Sequence, residues 1–533
     1  MSVVSLITSW YTLACIAAVP FLILVSDVWT WSRMPPGPQP LPFIGNKLQL
    51  PKQKPWIRFQ EWADVYGPIF TIWVGRRPTV IISDPNIAVE LMEKRSNKYS
   101  SRPRFVVMGE IYNDMASVLV QPYGKEWSLR RKLLHRALTP AALRTYTARQ
   151  EAESSRLAFH ILKDPRSWER AFDRFTSSVV FTVAYGHRID TLDSTVIRDR
   201  LAFMHYMASL NVPGAYLVES IPILKYLPNF LTPWKKDVQD HGKAEAASNM
   251  QLVDDVKRDL VIGGEKGISV SQSLTRTLLE TREKEGIALS ESHFASVPAS
   301  LFGAGSDTTA STMCSAVLAL VTHPYALEAA HQELDAVVGT ARSPSFLDES
   351  QLPYIRALVK EVLRWRPVAV LGGTPHASSE DDVYEGWRIP AGTTVLGNSW
   401  AINLNPAYYP QPHVFNPARF LADGDARFVR ELKGTPHPAK SGHSSFGWGR
   451  RICPGADLAA NSLFIALSKL LWAFDIKALQ GRAYDTFDYT DGFNIRPKSF
   501  PCSITVRSEA HSLVLEEEMR AAEKEMAKFP PYV

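Results

Sequence analysis

One cysteine in this chain sits in a setting that leaves little freedom: Phe446 to Ala459 reads FGWGRRICPGADLA. Glycines on both sides permit a tight turn in which backbone N–H groups approach the sulfur of Cys453, and an apolar run suited to a helix follows. The N-terminus of that helix, together with Arg450 and Arg451, favours a thiolate. A fold for this chain therefore has to present Cys453 at the start of a packed helix, as a metal ligand or a nucleophile. The plain alternative is a buried cysteine that only packs there. Cys15, Cys314 and Cys502 are too scattered for a CxxC metal site or a disulfide framework and read as structural thiols of a reduced, intracellular protein.

The N-terminus has a different character. No charged residue precedes Asp27, and Val3 to Val25 is mostly apolar; as a helix it extends roughly 35 Å, against a hydrocarbon core of about 30 Å. Residues 1–32 are thus expected to form a transmembrane anchor, kinked at Pro20, with Trp29 and Trp31 at the headgroups. Arg33, Lys47, Lys52, Lys54 and Arg58 follow, which places the main body on the cytosolic side. Residues 33–46, RMPPGPQPLPFIGN, read as a stiff proline-rich hinge. With 45% hydrophobic residues in 533 and no flexible linker, residues 47–507 read as one large domain, mainly α with small β-sheets, including a hairpin around Gly75-Arg76-Arg77. Residues 508–533 form a charged tail expected as a solvated helix. A net charge of +5 without a dense basic run gives no support to nucleic acid as a partner.

Three further constellations carry polar chemistry on helical spacing. In LFGAGSDTTASTMCSAVLALV, Leu301 to Val321, small residues Gly303, Ala304 and Gly305 let a flat ligand approach the backbone, and Asp307 and Thr308 put polar groups where a purely structural helix has none. The competing reading is a threonine bonded to its own preceding turn. Pro298 should start or kink this helix. Glu361 and Arg364 are an i, i+3 pair, and Trp127 and Arg131 an i, i+4 pair; either could be ordinary helix surface.

Taken together, these segments resemble the cytochrome P450 family. Its haem signature FxxGxRxCxG is matched at Phe446, Gly449, Arg451, Cys453 and Gly455, its AGxDT motif at Ala304 to Thr308, its ExxR at Glu361 and Arg364, its PxRF at Pro417 to Phe420 and its WxxxR at Trp127 and Arg131. The resemblance spans nearly the whole chain and is similar to fungal membrane-anchored members. It implies a P450-like fold holding haem b with Cys453 as the axial thiolate, Phe446 beside it, and Trp127, Arg131, Arg451 and His376 on the haem propionates. It implies that Thr308 orients dioxygen and its protons and that Asp307 connects them to solvent. It also implies a structural triad of Glu361, Arg364 and Arg419, although Ala418 stands where an acidic residue often precedes that arginine.

The activity so implied is a monooxygenase that inserts one atom of dioxygen into an apolar organic substrate, a fungal secondary metabolite, by hydroxylation, epoxidation or desaturation. Electrons come from NADPH through a separate reductase, since no GxGxxG fingerprint opens a helix after a strand here, with cytochrome b5 a further donor in such systems. Lys132 and Arg136 form a basic strip suited to that acidic partner. The setting implied is the endoplasmic reticulum membrane, single-pass. Pocket walls are expected from Phe105 to Val120, Phe302 and Ala304, Val368 to Leu371, and Phe493. The alternatives are a haem-thiolate isomerase or dehydratase, or a non-catalytic haem-binding protein.

Overall fold

The computed structural model describes residues 18–210, 215–266 and 270–532. The helices that build the site are, in chain order, α1 (Ala18–Trp31), α2 (Lys125–His135), α3 (Pro140–Lys163), α4 (Trp168–Tyr185), α5 (Thr195–Leu210), α6 (Pro233–Lys266), α7 (Glu291–Thr322), α8 (Pro353–Trp365), α9 (Ala456–Ala473) and α10 (Glu509–Met526). Strands are short: β1 (Ile69–Val74), β2 (Arg77–Ile82), β3 (His376–Ala377), β4 (Asp382–Tyr384), β5 (Trp387–Ile389), β6 (Thr394–Gly397), β7 (Phe474–Lys477) and β8 (Ser503–Val506). The fold is mainly α with small sheets, the class read from the periodicity.

Apolar periodicity places α7 at the centre. Ser290 caps it by accepting from the His293 N–H, and its second half, Thr309 to Val321, is buried throughout. That half joins α4, α8 and α9 in one apolar cluster. Pro298 lies inside α7, so it does not start the helix. Gly305 explains how α4 comes so close: a Cβ there would meet Val180 of α4 at 2.4 Å. The expected hairpin forms, with Val74 opposite Arg77, and the larger sheet runs β1-β2-β6-β3 with β2 and β6 parallel.

Both ends of the chain differ from their sequence readings. Residues 1–17 of the expected anchor lie outside the described residues. The remainder, α1, is an apolar helix of modest length whose last turn belongs to the body: Asp27 is buried and accepts two bonds of 2.9 Å from Arg76 in the β1–β2 turn, and Trp31 packs edge-on to Trp73. Among the described residues the one helix long and apolar enough to cross a membrane is α9, which is mostly buried in the core. The proline segment is extended but not free. Pro36 accepts from the Thr71 N–H, and the fully buried Asn46 bonds Pro38 and the Trp73 N–H, so the hinge lies along β1. The tail is not a solvated helix either. His511, Leu515, Ala522 and Met526 form a buried stripe on α10, and Glu518 takes bonds from Ser343 and Lys469.

Candidate active site

The cysteine loop is built by glycine. At Gly449 φ is +55° and a Cβ would stand 2.0 Å from the Met92 carbonyl oxygen, so only glycine lets the loop lie this close. The Cys453 N–H closes the loop on the Phe446 carbonyl at 2.8 Å, and α9 starts three residues later. Cys453 keeps accessible surface although protein atoms crowd around it. Burial pushes its thiol up, while the Gly455 N–H and the Arg131 guanidinium pull it down.

Glu361, Arg364 and Arg419 are brought together as the triad requires, all three buried. Arg364 grips Glu361 through two bonds of 2.6 and 2.8 Å, and Arg419 reaches the same carboxylate at 3.0 Å. The surplus guanidinium donors end on main-chain carbonyls, Asn403 and Pro412 for Arg364, Leu432 and Val414 among those for Arg419. Ser445 bonds Leu363 of α8 and also accepts from Asn403, so the triad's helix is tied directly to the cysteine loop. The departure at Ala418 has a reason: the side chain lies in the main apolar cluster, where a carboxylate would be buried.

Beside the loop lies a cluster of positive charge. Arg451 donates to Ser100, Val118 and Gln121 carbonyls and stacks 4.2 Å over Trp127; burial, then Arg131, lowers it to about 9. Arg131 bonds the Ile452 carbonyl and is also lowered by burial. Arg102, which the sequence reading passed over, donates to Leu119, Thr374 and Pro375 carbonyls and is driven well below its usual value by burial and by Arg451 and Arg131. Among the described residues no carboxylate forms an ion pair with any of the three. His376 joins them, its Nδ1 donating to Tyr99 at 2.7 Å, and burial followed by Arg102 holds it down to about 3. A neutral ring with the proton on Nδ1 has no hydrogen on Nε2, so His376 becomes a donor to a carboxylate only by taking up a proton.

The buried centre of α7 has one accessible stretch. Ala304 is exposed, while Gly303, Asp307 and Thr308 are half-buried. The Thr308 hydroxyl donates to the Ala304 carbonyl at 2.8 Å, and Asp307 accepts from Asn494 at 3.3 Å. Behind Asp307, Arg496 pairs with Asp173 at 2.7 Å. Helix α7 also packs against both the cation-bearing helix α2 and the cysteine helix α9.

Comparison with known proteins agrees with this geometry. Residues 35–503 match the sequence profile of the family described as Cytochrome P450. Cytochrome P450 monooxygenase 58 of Postia placenta is 36% identical over 511 residues, covering 92% of each chain. Cytochrome P450 monooxygenase verL of Clonostachys rogersoniana is 35% identical, over 94% of this chain and 93% of its own, and Cytochrome P450 monooxygenase aneD of Aspergillus aculeatus is 33% identical, over 98% and 97%. This chain belongs to the cytochrome P450 family. It is a haem-thiolate monooxygenase acting on organic substrates.

Within the P450 fold, three sequence expectations change. Phe302 is fully buried between α4 and α5 and turns away from the accessible stretch, leaving Ala304 as the surface α7 offers. In the Phe105 to Val120 loop, Val106–Tyr112 coils into a helical turn buried mainly against Leu210, Val218 and Val238, so Phe105, Ile111, Met115, Val118 and Leu119 are the apolar side chains it leaves accessible. In the basic strip, Arg136 is held by Thr281 and Glu285, whereas Lys132 forms no ion pair among the described residues.

Proposed function

We propose that Cys453 would hold the iron of a haem b through its thiolate, that Arg102, Arg131 and Arg451 would receive its carboxylates, and that Trp127, His376 and Phe446 would complete the site. The observation that carries this reading is the trio of guanidiniums with no carboxylate paired to them among the described residues: a group bearing two carboxylates fits where burial lowers the basicity of all three and repulsion lowers that of Arg102 and Arg451 further. When bound, the haem supplies activation of dioxygen, one atom entering the substrate and the other leaving as water. The chain's residues do the rest. The Gly455 N–H and Arg131 hold negative charge on the sulfur. With its hydrogen committed to Ala304, Thr308 offers lone pairs and so accepts and orients a proton donor, while Asp307, steadied by Asn494, exchanges protons with solvent.

The substrate in this reading is an apolar secondary metabolite, since Ala304, Val118, Leu119, Leu371 and Phe493 offer almost no polar anchors. Electrons come from NADPH through a separate reductase or cytochrome b5, with Lys132 at the docking face. Residues before Asp27 anchor the chain in the endoplasmic reticulum membrane, residues 27–46 lead from anchor to body along its surface, residues 47–507 form the cytosolic catalytic domain and residues 508–533 its charged tail, packed on that domain. The deciding experiment is the ferrous carbon-monoxide difference spectrum of Cys453→Ser against the parent. The red-shifted band that requires thiolate ligation should vanish in the variant, and its persistence would remove Cys453 as the ligand.

A further inference from the structure

An aromatic column runs from the tail to the back of α7. The Tyr532 ring lies edge-on to Phe181 of α4, 5.1 Å between centroids, and Phe181 lies edge-on to Phe302 at 5.7 Å and packs on Tyr185 at 4.9 Å. Phe302 and Ala304 are two residues apart, roughly 200° around the helix, so the column bears on the back of the turn whose front Ala304 exposes. The tail is pinned to make this contact. The Arg188 N–H donates to Pro530 and the Tyr532 N–H to Arg188, both at 3.0 Å, and the Arg188 guanidinium holds the Met526 and Phe529 carbonyls. The Tyr532 hydroxyl donates to Asp255 of α6 at 2.6 Å, one turn from Asp259, which pairs with His187 at 2.9 Å. The tail lies beyond residues 35–503, the part matched to the family profile.

We infer that Tyr532 is a positioning residue for the oxidation: through Phe181 and Phe302 it sets how far the Gly303–Ala304 turn stands into the substrate space. This rests on the reading above that the exposed face of α7 borders that space. Packed aromatic cores hold one arrangement, and removing a ring leaves a void into which the neighbouring ring relaxes. Phe181 then releases Phe302, and the turn withdraws. Tyr532→Phe keeps the column and loses only the bond to Asp255.

The test uses the purified haem-loaded enzyme and two probes that bind beside the haem, imidazole and 4-phenylimidazole, followed by the shift of the Soret band. Tyr532→Ala should change the ratio of their dissociation constants by about threefold to tenfold, the scale of one aromatic pair, with imidazole itself unaffected. Tyr532→Phe should keep the parent's ratio. Tyr532→Leu fills more of the void and serves if the alanine variant does not take up haem; it should shift the ratio in the same direction. Ala304→Val is the control for the face itself. A shifted ratio in Ala304→Val with an unchanged ratio in Tyr532→Ala and Tyr532→Leu would overturn the role of Tyr532. No shift in any variant would remove this face of α7 from the substrate space and the inference with it.

Discussion

Thr308 shows how much a single hydroxyl can decide. Its hydrogen bond to Ala304 is the ordinary i−4 bond of a helical threonine, yet it lies on the accessible stretch at the centre of α7. Thr308→Ala should keep the haem and its carbon-monoxide band but divert most NADPH electrons into hydrogen peroxide, read as peroxide formed per NADPH consumed; unchanged coupling would give the role to water alone. Arg102 carries a second expectation. Arg102→Gln should speed haem loss to apomyoglobin by about tenfold to a hundredfold, since a charge-assisted bond contributes about 1.5–3 kcal/mol, and haem retained at the parent's rate would exclude it from the cradle. The cysteine loop and the Glu361–Arg364 pair are legible in sequence because each is a short, fixed spacing. Arg102 is not, because its partners Thr374 and Pro375 lie some 270 residues away. Nor is the buried side of Phe302, which depends on where α4 packs.

At the scale of elements, the ends of the chain are integrated with the body. The stripe His511, Leu515, Ala522 and Met526 on α10 was readable as an amphipathic helix, but the alternating charges between its members mask it, and its partner α3 is remote in sequence. Asp27 is the first charge of the sequence, and its pairing with Arg76 makes the chain from residue 27 onward part of the body, where the sequence reading drew that line after residue 32. The stretch from Tyr216 to Trp234 exposes Leu217, Ile223, Tyr226 and Phe230, the last 81% exposed. Apolar side chains so displayed partition into a bilayer interface. A chain lacking residues 1–24, which keeps the Asp27–Arg76 pair, should therefore still float with phosphatidylcholine vesicles, and changing Ile223, Tyr226 and Phe230 to serine should release it. Complete solubility of the shortened chain without those changes would show that residues 1–24 make the whole contact.

For the whole molecule, acid is the expected weakness. Burial holds His160 and His437 down to about 4 and His443 down to about 3, whereas an unfolded histidine titrates near 6.5. As pH falls below about 6.5 the unfolded chain takes up protons that the folded chain refuses until about 4, so stability declines through that window. Two of these rings brace the approach to Cys453: His437 shares a hydrogen bond with Ser444, and His443 accepts from the Ser445 N–H. The thiolate carbon-monoxide band should therefore fade between about pH 6.5 and pH 4, and a His437→Asn variant, which has no such proton to take up, should hold it to lower pH. A band that survives unchanged to pH 4 in the parent would show that the loop does not depend on neutral histidines.

The guanidinium cradle has a consequence for the life of the protein in the cell. In the reading proposed above, Arg102, Arg131 and Arg451, which repel one another inside the fold, would meet two carboxylates only when the prosthetic group binds, so the newly made polypeptide would carry a built-in flaw until then. Its abundance is then tied to porphyrin supply: cells starved of iron or of a porphyrin precursor should clear the chain after translation, and the protein level would report on haem economy with no dedicated sensor.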